Sequence, residues 1–155
     1  MKENDLFKSS LNRATALCAK REHCISEVLA KLSEWGCGEN VNCRIIEILK
    51  KENFINEERY AIAFVRDKFN YNKWGKIKIS VHLKAKNIPG DLIKQALDSI
   101  DNETYKQTLF NLLSAHRRSV KAKSQYDLKA KLLRYGLSKG FESSLLYDLL
   151  NTFED

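Results

Sequence analysis

Apolar residues recur every three to four positions through almost the whole chain, the spacing that gives an α-helix one hydrophobic face. Leu11, Ala14, Leu17 and Cys18 form the first such face, Val28, Leu29 and Leu32 the second, and Ile45, Ile46, Ile48 and Leu49 the third. Tyr60, Ala61, Phe64, Val65 and Phe69 follow, then Ile77, Val81 and Ile88, then Leu92, Ile93, Ala96 and Leu97. The last third gives Leu109, Leu112 and Leu113, then Leu128, Leu132 and Leu133, then Leu145, Leu146, Leu149 and Leu150. The pattern predicts nine amphipathic helices. Strict alternation occurs only briefly, from Lys76 to Val81, and it runs on through Leu83 to Lys86 with no turn signal, so it too is read as helix. One proline (Pro89) and six glycines leave long stretches without a backbone breaker. The expected fold class is all-α.

Nine helices invite a search for a repeat of three, and helix ends provide the test. A residue just past a helix C-terminus often turns left-handed, which favours Gly and then Asn. Gly36, Asn87 and Gly140 meet this requirement at separations of 51 and 53 residues. Helix starts agree: Ser124 with Asp127 fits a capping box, and Cys24 with Glu27 and Gly75 with Lys78 stand in corresponding places. Gly136 competes with Gly140 as the third stop. Asn56, with Glu57 and Glu58, reads as the start of one helix, and residues 99–104 as the start of another. The expected organisation is an elongated array of three tandem three-helix repeats, at 1–54, 55–102 and 103–155, whose short linkers leave each in contact mainly with its neighbours.

Composition narrows the class. At 155 residues, with 43% hydrophobic and 30% charged positions, the chain can bury a core without metal or disulfides. No apolar run approaches the ~18 residues of a spanning helix, and no secretory pattern opens the chain, so a cytoplasmic location and no membrane partner are expected. Cys18, Cys24, Cys37 and Cys43 are then expected as reduced thiols, Cys18 and Cys43 on buried apolar faces, with a zinc site near His23 or a redox role as the lesser readings. The net charge of +7 is concentrated: no acid lies between Asp67 and Asp91, or between Glu103 and Asp127. Lys76, Lys78, Lys84 and Lys86 fall in the first tract, and Arg117, Arg118, Lys121 and Lys123 in the second. These eight are the candidate contacts to something anionic, set against plain solvated helix faces.

Three segments carry a family likeness. Arg21-Glu22-His23-Cys24 with Glu27-Val28-Leu29, Asn56-Glu57-Glu58-Arg59-Tyr60-Ala61 with Phe64-Val65-Arg66, and Gly75-Lys76-Ile77-Lys78-Ile79 with Lys86-Asn87-Ile88 resemble, in order, the signatures of the RecX family. Lys139-Gly140-Phe141 is similar to that family's closing segment and favours Gly140 over Gly136 as the stop. Three departures stand out: Cys24 where a capping Ser is usual, Asn87 where Gly is usual, and Gly136 where an apolar residue is usual. The resemblance implies a monomeric, modular protein lying in the helical groove of a RecA–DNA filament, with RecA as its partner. It also implies modulation, usually inhibition, of strand exchange and of the coupled ATP hydrolysis.

Reactive constellations are not evident. His23, His82 and His116 are far apart, no His-Glu-x-x-His occurs, and no Gly-rich phosphate loop is present, so no catalytic residue, metal or cofactor is expected. Glu57 and Glu58 suit a helix start, and His23 a helix end. Arg59 and Arg66 either contact a partner or pair with Glu57, Glu58 or Asp67. Trp35, Trp74, Tyr71 and Tyr126, set among basic residues, either pack between helices or stack on exposed bases. The alternative function is a helical module that binds single- or double-stranded DNA directly, with a steep dependence on salt.

Overall fold

A computed structural model describes residues 2–153. Nine α-helices occupy them: α1 (Lys2–Lys20), α2 (Ile25–Glu34), α3 (Glu39–Lys51), α4 (Glu57–Asn70), α5 (Lys76–Ala85), α6 (Gly90–Asp98), α7 (Asn102–Ser119), α8 (Gln125–Ser138) and α9 (Ser143–Leu150). A single 3-10 turn, Asn151–Phe153, follows, and no strand occurs among the described residues. None of these helices is long and apolar enough to cross a membrane. The chain packs as two compact units, Met1–Phe64 with Leu83–Ile93 and Val65–His82 with Lys94–Asp155.

The three expected stops are all left-handed: φ is +85° at Gly36, +62° at Asn87 and +92° at Gly140. Each closes its helix with the same pair of backbone bonds. Gly36 and Cys37 donate to Ser33 and Leu32, Asn87 and Ile88 to Lys84 and Leu83, and Gly140 and Phe141 to Leu137 and Gly136. The residue after each stop folds inward, and Ile88 and Phe141 are buried. This is the Schellman arrangement, which satisfies carbonyls the helix leaves open. Asn87 takes the conformation because its short polar side chain tolerates φ > 0 better than other non-glycine residues. Gly136 lies inside α8, where a Cβ would come within 2.2 Å of Leu146 Cδ2. An apolar side chain is absent there because Leu146 fills its space.

In the first unit, α1, α2 and α3 pack on one another around Phe7, Ala14, Val28, Leu32, Val41, Ile45 and Leu49. The buried positions of α3 are Val41, Ile45 and Leu49, at i, i+4 and i+8, which turns Cys43 outward. Cys43 is therefore exposed, against expectation, whereas Cys18 is half-buried and Cys24 fully buried. Ser10, buried in α1, accepts a hydrogen bond from the Cys37 thiol at 3.1 Å. In the second unit α8 packs between α7 and α9.

The buried face of α5 also differs from the expected Ile77–Val81 stripe. Ile79 and Leu83 are buried, while Ile77 and Val81 are 50% and 58% exposed. Alternating apolar residues wound into a helix supply two candidate faces, so periodicity does not choose between them. Gly75 decides the matter: it lies on the 75, 79, 83 line, and a Cβ there would come within 2.3 Å of the Gly140 carbonyl oxygen. Only that face permits the backbone of the α8 stop to come so close.

Each unit contains one joint at which a helix start meets another helix's stop. In the first, the Ile25 N–H at the start of α2 donates to Glu57 Oε2 at 3.1 Å, and Ser26 Oγ donates to the Lys86 carbonyl at 2.9 Å. In the second, the Lys76 N–H at the start of α5 donates to the Tyr105 hydroxyl at 2.9 Å. Gly75 N–H donates to the Lys139 carbonyl at 2.7 Å, and Ile77 N–H to the Gly140 carbonyl at 3.0 Å. In the second joint, donors at the start of α5 thus satisfy open carbonyls past the end of α8; in the first, the Glu57 carboxylate and the Ser26 hydroxyl complete the two helix ends.

Candidate interaction surface

The eight basic residues singled out in the sequence fall on three segments. Lys76 and Lys78 are half-buried near the start of α5. The Lys76 ammonium stands 4.9 Å from the Tyr105 ring centroid, and that of Lys78 stands 4.7 Å from the Trp74 ring and 3.4 Å from the Ser138 carbonyl oxygen. Both belong to the second unit. Lys84 and Lys86, at the end of α5, belong to the first. Lys84 is exposed, whereas Lys86 is half-buried and pairs with Glu27 Oε2 at 3.3 Å. Part of the Lys86 charge is thus already used inside the protein.

Arg117 and Arg118 are exposed in the last turn of α7, where cations are favoured by the helix dipole, and Lys121 and Lys123 are exposed in the connection to α8. Arg117 lies 5.2 Å from the Phe153 ring centroid and Arg118 Nε donates to the Ser114 carbonyl, so both are steered without meeting a carboxylate in these contacts. Three further cations, Lys129, Lys131 and Arg134, follow on α8, and Asp127 is the single acid between Glu103 and Glu142. That acid is engaged: it accepts from the Lys123 N–H at 3.0 Å and pairs with Lys131 at 3.2 Å. The Lys123 N–H, followed by the Lys131 ammonium, holds its carboxyl below the ordinary carboxylate range. Ser124 caps α8 as expected, its Oγ accepting from the Asp127 N–H at 3.1 Å.

Residues of the signature segments are occupied structurally. Arg59 pairs with Glu22, its Nε 2.6 Å from Oε2, an acid outside the three the sequence offered, and its guanidinium also donates to the Asn53 and Phe54 carbonyls. Asn56 caps α4 by accepting from the Arg59 N–H at 2.9 Å. Glu57 serves α2 as well as its own helix. His23 is buried and donates from Nδ1 to the Arg21 carbonyl. Cys24 caps α2, and its N–H donates to Glu27 Oε1 at 3.2 Å. Burial opposes ionisation of Glu27, but the Cys24 N–H and the Lys86 ammonium outweigh it and lower its carboxyl. Tyr60 donates to the same carboxylate at 3.3 Å.

Sequence reasoning missed Lys68 and His82 as neighbours of the Trp74 ring, and Lys139, which donates to the Asn72 carbonyl two residues before it. Proximity of Trp74 to Lys68 and Lys78 in the chain was a signal; Lys139 arrives only through the fold. Among the described residues, no group of His, Cys, Asp and Glu is placed to hold a metal ion.

A chain that is all-α over its described residues and whose cations outnumber its acids falls in the class of basic all-α proteins. The family model for the second three-helix domain of RecX matches residues 56–97. The chain is 32% identical over 154 residues to the regulatory protein RecX of Clostridium perfringens strain 13, covering 98% of this chain and 69% of that protein. It is 29% identical over 153 residues to that of Clostridium acetobutylicum, with 96% and 70% covered. The crystal structure of RecX from Lactobacillus salivarius superimposes with a TM-score of 0.83 at 22% identity, covering 96% of this chain and 97% of that one. A second crystal structure, of regulatory protein RecX, gives 0.87 at 23% identity over 96% and 74%. The chain belongs to the RecX family of regulatory proteins.

Proposed function

We propose that this chain is a non-enzymatic, cytoplasmic, monomeric regulator that lies in the helical groove of a RecA–DNA filament. There it slows RecA's ATP hydrolysis and strand exchange. The carrying observation is the set of cations on the α7–α8 segment, where the lone acid, Asp127, is already bound internally. Membership of a family of regulatory proteins supports the same reading. Three repeats, at 1–54, 55–102 and 103–155, would present their faces to successive filament subunits, and linked weak contacts reinforce one another. Lys76, Lys78, Lys84 and Lys86 form one contact group, and Arg117, Arg118, Lys121 and Lys123 the other.

The test is co-sedimentation with RecA filaments on DNA, using full-length chain with each group changed to Glu. Each quadruple change is expected to weaken binding at least ~tenfold and the two together to abolish it, because linked sites multiply their affinities. Retention of full binding by the octuple variant refutes the assignment.

A further inference from the structure

Arg21 and His23, from the first signature segment, line a pocket that the filament reading leaves unused. It is an open hollow of about 330 Å³ where the start of α2 meets the end of α5, entirely within the first unit. Ser26, Glu27, Lys31 and Lys86 complete its polar lining. A volume near the lower end of ligand pockets suits a small molecule.

Charge in this lining is unequal. Glu27 is its single acid, and that carboxylate is already engaged by the Cys24 N–H, the Lys86 ammonium and the Tyr60 hydroxyl. Against it stand Arg21, Lys31 and Lys86. Arg21 is exposed and meets no carboxylate among the described residues, and Lys31 is held only by exposed Glu34, at 3.6 Å. Three cations against one acid leave an excess of two positive charges, which a dianion would balance.

His23 adds selectivity. It is buried, and its Nδ1 faces the Arg21 carbonyl oxygen at 3.0 Å. A carbonyl only accepts, so Nδ1 carries the hydrogen, and Nε2 of the neutral ring is left as an acceptor. A ligand here gains by offering negative oxygens to the cations and one O–H to Nε2. Phosphate monoesters and inorganic phosphate supply both, because their second ionisation lies near pH ~6 and a proton remains to be shared. Sulfate and phosphodiesters have no such proton, and a carboxylate brings only one charge.

We propose that Arg21, His23, Lys31 and Lys86 form a binding site for a terminal phosphate group, either of a small phosphate monoester or of free inorganic phosphate. The site lies apart from the α7–α8 cations and does not rest on filament docking.

The experiment is an NMR titration of the imidazole nitrogens of the full chain, without RecA or DNA, at constant ionic strength. The three histidine signals are assigned by substituting His82 and His116. Inorganic phosphate and glycerol 3-phosphate are each expected to move the His23 Nε2 signal saturably, with affinities at least ~tenfold above those of sulfate and dimethyl phosphate. Either order between the first two upholds the site, and the tighter one tells whether it takes the free anion or an ester. Arg21→Gln with Lys31→Gln is expected to weaken phosphate binding at least ~tenfold. Lys121→Gln with Lys123→Gln removes the same charge elsewhere and is expected to cost less than ~twofold. His23→Asn is expected to erase the preference for phosphate over sulfate, read from the amide signals, with circular dichroism reporting folding. If that variant unfolds, the phosphate-against-sulfate comparison on the wild-type chain decides. An unmoved His23 signal, or equal losses from the two glutamine pairs, would overturn the proposal. Equal affinity for phosphate and sulfate would do the same and mark an unspecific counter-ion site. Dimethyl phosphate binding as tightly as the monoester would also overturn it, by removing the role of the shared proton.

Discussion

Gly36 and Gly140 have the same conformation for different company. Both sit past a helix end at positive φ, yet a Cβ on Gly36 meets nothing within 4 Å, whereas one on Gly140 would come within 2.2 Å of Lys78 Cβ and 2.7 Å of its backbone nitrogen. Gly36→Ala therefore carries only the left-handed penalty, about 1 to 2 kcal/mol. Gly140→Ala carries that and the overpacking of a backbone contact, for a total of about 3 kcal/mol or more. Urea unfolding of the two variants checks the ordering, and equal losses would mean that the approach of α5 to the α8 stop is not stabilising. The position of each stop was legible because left-handed backbone has a residue preference. What surrounds Gly140 was not, since nothing local marks a contact 62 residues distant.

At the scale of elements, the joints show which parts of a signature are spent on architecture. Tyr60 and Tyr105 are each the fourth residue of their helices, α4 and α7, but they serve differently. Tyr60 donates to Glu27, while Tyr105 accepts the Lys76 N–H and donates to the Glu142 carboxylate. Burial, and then the hydrogen bond to Glu142, raise the Tyr105 hydroxyl above the ordinary tyrosine value. The folded state therefore keeps a proton that the unfolded chain releases near pH ~10. Stability from this group is complete below that pH and is lost as pH rises from there through the raised folded-state value. Tyr105→Phe is expected to cost about 1 to 3 kcal/mol at neutral pH, from the unsatisfied buried donor, and to reduce the alkaline fall in stability. Thermal melts from pH 7 to 11 test it; an unchanged alkaline slope would contradict the assignment. Helix number and helix ends were readable here. The inward face of α5 was not, because Ile77, Ile79 and Val81 supply two apolar sides and Gly75 chooses between them only once α8 is beside it.

For the whole molecule, charge matters more than any one contact. Eight basic residues could be named from acid-free tracts, since an absence of acids is visible in the chain. Their use could not: Lys86 is paired with Glu27, Lys78 is drawn to Trp74, and Arg117, Arg118, Lys121 and Lys123 stay exposed. That division ranks the α7–α8 group above the α5 group as the outward-facing charge, an ordering the sequence alone does not provide. The signature arginine, Arg59, is likewise held by Glu22 and two carbonyls, so the motif identifies the family through its architecture. The most direct test of the account is a titration of the full chain into RecA hydrolysing ATP on single-stranded DNA. The account predicts that hydrolysis slows at less than one chain per RecA subunit, and that charge reversal at Arg117, Arg118, Lys121 and Lys123 removes most of the effect. Undiminished hydrolysis with the wild-type chain in excess would contradict it.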